Sequence, residues 1–417
     1  MKNLLFSGCF LLLGTAAATA QTWTQIPVPT QKQLNAIDFP SASVGYIGGN
    51  DSILLKTTNG GRTWQKVSYT GVTFYPGNEH ILNLQFVSET VGYMTVGPYS
   101  GAYKTVNGGT TWSLLSASMG LCSNEGLFFF DENNGFIGGA GCFQGEMIDR
   151  QSGGTWSAAT VNFPGIAAED LVTDIDFYSS SLGIATSFGG RFLRTTNGGQ
   201  TWDSIQSPLE NLTSVAFVND TLCYAGYALN GSGFGLLIST DAGLTWEEDM
   251  ETATFFYPNF NDVHVTGSGA IYTGGKPGFD NTGVLFSFAP ADGWWNPGSV
   301  DETIYAISSY NDSIVFAVGN EGYVITNVNP ATLTVAENEL QPLTVYPNPT
   351  RDVLAFSAPE LRADEPVTFR VFSASGELIR EETTTGQQLN VEALTNGMYF
   401  LEVQQHEIRN MQRFVKE

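Results

Sequence analysis

Glu169 and Asp170 stand side by side, and Asp174 and Asp176 follow as an alternating pair. Paired carboxylates are what glycoside hydrolysis uses: one protonates the leaving oxygen while the other activates water or attacks directly. Residues two apart on a strand share a face, so Asp174 and Asp176 are expected to line one wall together. Glu169 and Asp170, in the loop before them, are the weak catalytic candidates. Little else in the chain suggests bond-breaking chemistry. There are three histidines and four cysteines, with neither a Ser-His-Asp order nor a metal-ligand spacing. No cofactor is expected; calcium held by loop carboxylates is conceivable, but no EF-hand-like run supports it.

Any such groups must be positioned by β-structure. The chain has 417 residues with 47 glycines, 12% aromatic and only 14% charged residues, a profile of many strands and turns. Its formal charge of −24 argues against nucleic acid or anionic lipid as a partner, since either would bind against like-charge repulsion. Residues 1–20 read as a secretory signal peptide: Lys2, the apolar run Leu4 to Leu13, and an Ala-x-Ala site ending at Ala20. No other stretch is long and apolar enough to span a bilayer, and a monomer is expected.

From residue 21 to 328 one unit recurs. Strands such as Leu34 to Phe39, Val44 to Gly49 and Ser52 to Thr57 lead into the turn Thr58-Asn59-Gly60-Gly61-Arg62-Thr63-Trp64 and a fourth strand. Asn-Gly and Gly-Gly steps accept positive φ cheaply, as a tight reversal requires. The turn returns around Asn107 and Trp112, Asn197 and Trp202, and Asp241 and Trp246, and in worn form at Gln151 to Trp156. A four-stranded repeat of about 40–48 residues predicts a β-propeller. The seventh copy lacks its last strand and the orphan Thr22-Trp23-Thr24-Gln25-Ile26 precedes the first. Pairing these two ends closes a seven-bladed ring. Residues 329–342 read as a linker, and 343–417, with alternating strands and turns, as a small β-sandwich. The fold class is therefore all-β.

The Thr58-to-Trp64 turn and its copies resemble the Asp-box of BNR-repeat propellers, a group that includes sialidases, xyloglucanase-type glycosidases and photosystem II stability/assembly factors. The Val-Gly-Tyr and Gly-Gly steps ahead of the boxes look most like the last of these. Tyr346-Pro347-Asn348-Pro349, Val371-Phe372 with Gly376, and Gly397-Met398-Tyr399-Phe400 are similar to the type A C-terminal sorting domain of the type IX secretion system of Bacteroidetes. That resemblance implies export through the outer membrane of a Gram-negative bacterium, with the secretion machinery as a partner and a secreted or surface location. A sialidase would need an arginine cluster. Only Arg62, Arg150, Arg191 and Arg194 fall in the propeller, and Arg62 sits within a box.

In the boxes, Asn59, Asn107, Asn197 and Asp241 are expected to bond their own turns, and Trp64, Trp112, Trp202 and Trp246 to anchor the outer strand. Binding is expected on the opposite rim, where Tyr75, His80, Tyr99, Phe143, Arg191, Tyr227, Tyr257 and Phe260 are the candidates. Cys122 in a blade connection and Cys142 in a loop of the same blade are expected on that rim as a disulfide, and Cys223 as a buried thiol. Two functions remain open: a non-catalytic surface propeller that binds a glycan or protein, and a glycoside hydrolase acting on an extracellular polysaccharide. An assembly role rests on fold analogy alone.

Overall fold

The computed structural model describes residues 23–98, 100–115, 121–141, 147–162, 170–228, 236–249, 258–277, 282–289, 293–295, 299–310, 313–330, 333, 344–357, 365–373, 378–386, 388–405 and 408–417. The signal-peptide reading of residues 1–20 lies outside them. The chain divides into two compact units, one ending at Leu333 and the other spanning Thr334–Glu417.

The first unit is a seven-bladed propeller of antiparallel sheets. Blade 1 consists of Leu34–Asp38, Gly45–Gly49, Leu54–Thr57 and Gln65–Lys66, in that order from the centre outward. Blades 2 to 6 repeat it with innermost strands Ile81–Phe86, Leu121–Asp131, Val172–Phe177, Leu212–Phe217 and Pro258–Val265. Each innermost strand packs against the next, and Ile304–Ser309 of blade 7 packs back on Leu34–Asp38. The expected closure is present: Thr24–Gln25 supplies the outer strand of blade 7, with Thr24 opposite Thr326 and Gln25 opposite Ile325. Ile26, 1% exposed, carries the closing segment into the core shared by blades 7 and 1. Leu333 is buried in that same core, so the propeller reaches past the sequence boundary at 328. An unexpected short strand, Thr160–Asn162, runs parallel to the outer strand Thr201–Gln206 of blade 4.

Side chains staple the inner ring from blade to blade. Asp38 accepts the Phe86 N–H at 2.6 Å, Asp176 the Phe217 N–H at 2.8 Å, and Asp262 the Ile307 N–H at 2.7 Å. Asp174 accepts the Val215 N–H at 2.9 Å. Blade faces are buried against their neighbours, so these strand N–H groups need partners, and carboxylates from the preceding blade supply them.

The second unit is a sandwich of two sheets. Thr344–Tyr346, Val353–Ser357 and Gln388–Asn390 form one; Leu378–Thr384, Val367–Ser373, Gly397–Gln405 and Ile408–Lys416 form the other, in that order. Leu354, Phe356, Phe369, Leu401 and Phe414 fill the space between. The Asn-Pro motif has a structural task here: Asn348 Oδ1 accepts the Val415 N–H at 2.9 Å, tying the start of the module to its last strand.

Candidate functional site

The Asp-box turns are occupied with their own backbone. Thr63 N–H donates to Asn59 Oδ1 at 3.0 Å, and the same bond recurs from Thr111 to Asn107, from Thr201 to Asn197 and from Thr245 to Asp241. Behind it, the Gly61 N–H donates to Thr57 Oγ1 at 3.0 Å, with Thr105, Thr195 and Ser239 in the same role. Trp64, Trp112 and Trp202 are buried, while half-buried Trp246 stacks on Phe192 at 3.9 Å. The arginines are dispersed along the ring. Arg150 Nε donates to the Gly198 carbonyl in the box of blade 4, and Arg194 Nε to the Ala242 carbonyl in the box of blade 5. Asn197→Ala removes three side-chain bonds, to Thr195 Oγ1, Thr201 Oγ1 and the Thr201 N–H, and is expected to lower stability by about 1–3 kcal/mol and to leave ligand binding unchanged; urea denaturation beside a binding assay checks both.

The opposite rim holds the cavity. Every innermost strand carries a register shift at the same depth, which inserts one extra residue against its partner strand. The residues inserted at this depth are Asn35, Leu82, Glu125, Thr173, Thr213, Asn261 and Tyr305, one per blade; the innermost strand of blade 3 carries two further shifts, one nearer each end. All seven line a single 540 Å³ cavity that opens around the central axis. Bulges re-aim side chains, and here they turn one residue from each blade toward the axis. Amide and hydroxyl members also brace the ring: Asn35 Nδ2 donates to the Ile81 carbonyl, Thr213 Oγ1 to the Phe260 carbonyl and Asn261 Nδ2 to the Ile304 carbonyl, each within 2.8 Å. Glu125 is the one carboxylate of this ring, and burial pushes its pKa up. At the mouth stands Phe188, 55% exposed and lining the same cavity. Its backbone is held on both sides, by Leu171 O and by the Asn211 N–H, both at 2.8 Å.

Several expected site residues are elsewhere. Tyr227 and Phe260 are 0% and 1% exposed; they belong to strands that run further than their sequence suggests, pairing with Leu212 and Gly275 at the bulges. Asp170 is buried, accepts the Gly189 N–H at 2.9 Å and faces Arg191 Nε at 3.4 Å. That pair fastens the loop entering blade 4, and Arg191 is thereby engaged. Tyr75 is 51% exposed on the expected rim, and His80 has its Nδ1 buried without a partner among the described residues. Glu169, Tyr99, Phe143 and Tyr257 lie outside the described residues, as does Cys142. Cys122 is in the innermost strand of blade 3, Leu121–Asp131, rather than in a connection, and the disulfide falls outside the described side chains. Cys223 is a buried free thiol whose pKa burial pushes up to about 12. Among the described residues no cluster of three or more His, Cys, Asp or Glu could hold a metal, and no helix is long and apolar enough to cross a membrane.

The bulge ring went unseen in the sequence, although it leaves a signal. Gly48-Gly49, Gly138-Gly139 and Gly274-Gly275 are the steps that face the bulge. A Cβ on Gly49 would meet the Gln33 carbonyl, and one on Gly48 would meet Ile81 of the next blade. Glycine pairs inside a strand mark such close approaches.

Comparison with known proteins agrees with this architecture. Residues 344–417 match the family described as the secretion system C-terminal sorting domain. Residues 15–72 match that described as photosynthesis system II assembly factor YCF48. Among solved structures, YCF48 bound to a D1 peptide aligns with 19% identity and a TM-score of 0.56, over 74% of this chain and 97% of that one. YCF48 from Cyanidioschyzon merolae aligns with 17% identity and a TM-score of 0.54, over 74% and 99%. An ancestral GH74 enzyme aligns with 13% identity and a TM-score of 0.51, over 95% of this chain and 64% of that one. At such identities the likeness speaks to the fold. No curated protein matches the chain.

Proposed function

From the premise that the chain is a BNR-repeat β-propeller of YCF48-like type with a C-terminal sorting domain of the type IX secretion system, we infer that it is an exported, non-catalytic binding protein whose glycan or protein ligand seats at the mouth of the central channel. The sorting domain implies export, so the protein is secreted or held at the cell surface in a Bacteroidetes-type bacterium. One observation carries the binding reading: seven bulge residues and exposed Phe188 converge on one 540 Å³ cavity. An aromatic face beside amides, hydroxyls and a few carboxylates is a surface suited to recognition.

The carboxylates argue against hydrolysis. Asp170 is committed to Arg191 and the Gly189 N–H. Asp174 and Asp262 line the cavity but spend oxygens on N–H groups of the following blade. An acid/base pair needs two carboxyl groups free to reach one bond, and among the described carboxylates of the cavity Glu125 alone is uncommitted.

The test is a panel of surface polysaccharides and peptides presented to the mature protein, read for retention and for released reducing ends. Retention without release is expected. Phe188→Ala is expected to weaken retention at least tenfold while changing stability by less than about 0.5 kcal/mol, since an exposed side chain supports little of the fold. Release of reducing ends, or retention indifferent to Phe188→Ala, would overturn this reading.

A further inference from the structure

We propose that the ligand group received by the channel is a basic side chain of a protein partner, a lysine in the first instance, with its ammonium at Glu125 and its methylene stem along Leu82 and Phe188. This rests on the channel mouth being the binding site and names the class of ligand it takes.

Glu125 is the only ionisable carboxylate among the seven bulge residues, and its carboxyl group has no hydrogen bond or ion pair among the described residues. A partly buried carboxylate without a partner is costly, and the cost is relieved by a cation brought to it. The environment suits a cation with a long apolar stem. Leu82, Leu127 and Leu212 provide apolar wall, Phe188 and Tyr305 provide aromatic groups, and the other two carboxylates of the lining, Asp174 and Asp262, already accept N–H groups of the following blade. Lysine combines a compact ammonium with a flexible four-carbon stem that lies along apolar surface while its head finds a polar partner. Aromatic faces attract such a cation as well. The net charge of −24 adds long-range attraction for basic partners. A neutral sugar would occupy the amides and hydroxyls but leave Glu125 unpaired.

The experiment uses the mature full chain and three probes: acetyl-Ala-Lys-Ala-amide, the same peptide with norleucine, and glucosamine, titrated by NMR and calorimetry against the wild type, Glu125→Gln and Phe188→Ala. The lysine peptide is expected to bind at least tenfold more tightly than the norleucine peptide. Glu125→Gln, which keeps the shape and removes the charge, is expected to abolish that difference. Equal binding of the two peptides, or a preference that survives Glu125→Gln, overturns the proposal. So does glucosamine binding more tightly than the lysine peptide through Glu125, which would assign the site to an amino sugar. Should the proposal fail while some glycan or peptide is still retained in a Phe188-dependent way, the binding function stands and only the ligand class is wrong. If Phe188→Ala changes nothing across the wider panel, the binding site itself has been misassigned.

Discussion

Gly61→Ala is expected to destabilise the propeller by about 3 kcal/mol, while Gly153→Ala costs only about 1. Both glycines sit in box turns with positive φ, +87° and +56°, where an L side chain costs about 1–2 kcal/mol, partly offset by the lower freedom of the unfolded chain. They differ in what lies beyond. A Cβ on Gly153 meets nothing within 4 Å, whereas one on Gly61 comes within 2.5 Å of the Phe316 ring in blade 7. Phe316 cannot give way easily, being fully buried and stacked on Phe39 at 4.6 Å. Overpacking of this kind costs about 1–3 kcal/mol more. Urea denaturation of the two variants gives the difference. Equal losses would mean that the box glycine serves its turn alone and not the joint between blades.

Stability is expected to rise by about 2 kcal/mol as pH falls from 7 to 5. Burial pushes Asp38, Asp176 and Asp262 from an ordinary 3.8 up to about 6, against the backbone N–H bonds they accept. The folded state therefore holds protons that the unfolded chain releases between those values. The stabilisation is complete below pH 3.8 and lost as pH rises through 6. At about 1.4 kcal/mol per pKa unit the three together gain about 4 kcal/mol between pH 7 and 5. Asp174 is raised as well and acts in the same direction. His264 opposes them. Burial lowers it from 6.5 to about 4, so its contribution is present above pH 6.5 and is lost on acidification, returning about 2 kcal/mol over the same interval. Thermal denaturation across pH 5 to 7 tests the balance, and His264→Gln, which keeps a polar side chain to face Ser309, should steepen the rise. A midpoint that falls on acidification from 7 to 5 would show that the stapling bonds outweigh burial.

The repeat, its blade number and its closure were legible in the chain, because each depends on local chemistry. Glycine at positive φ marks every box turn, and Trp23 is a strand without a hairpin partner nearby, matched by blade 7 without its outer strand. The sorting module was legible for a similar reason, since Asn348 ties a short motif to the end of the same module. Which residues face the channel depended on tertiary structure. A bulge resets the two-residue alternation of a strand, so parity counted from the buried end of Leu34–Asp38 or Leu212–Phe217 fails before it reaches Asn35 or Thr213. Both faces of a blade are also covered by neighbours, which leaves polarity a poor guide to exposure; Tyr227 was expected at a rim and is in the core, and Asp174 and Asp176 share a wall but serve as staples. Glu125 carries no local pattern at all. Its place on the axis comes from closing seven sheets into a ring, and only that closure brings it together with Leu82 and Phe188.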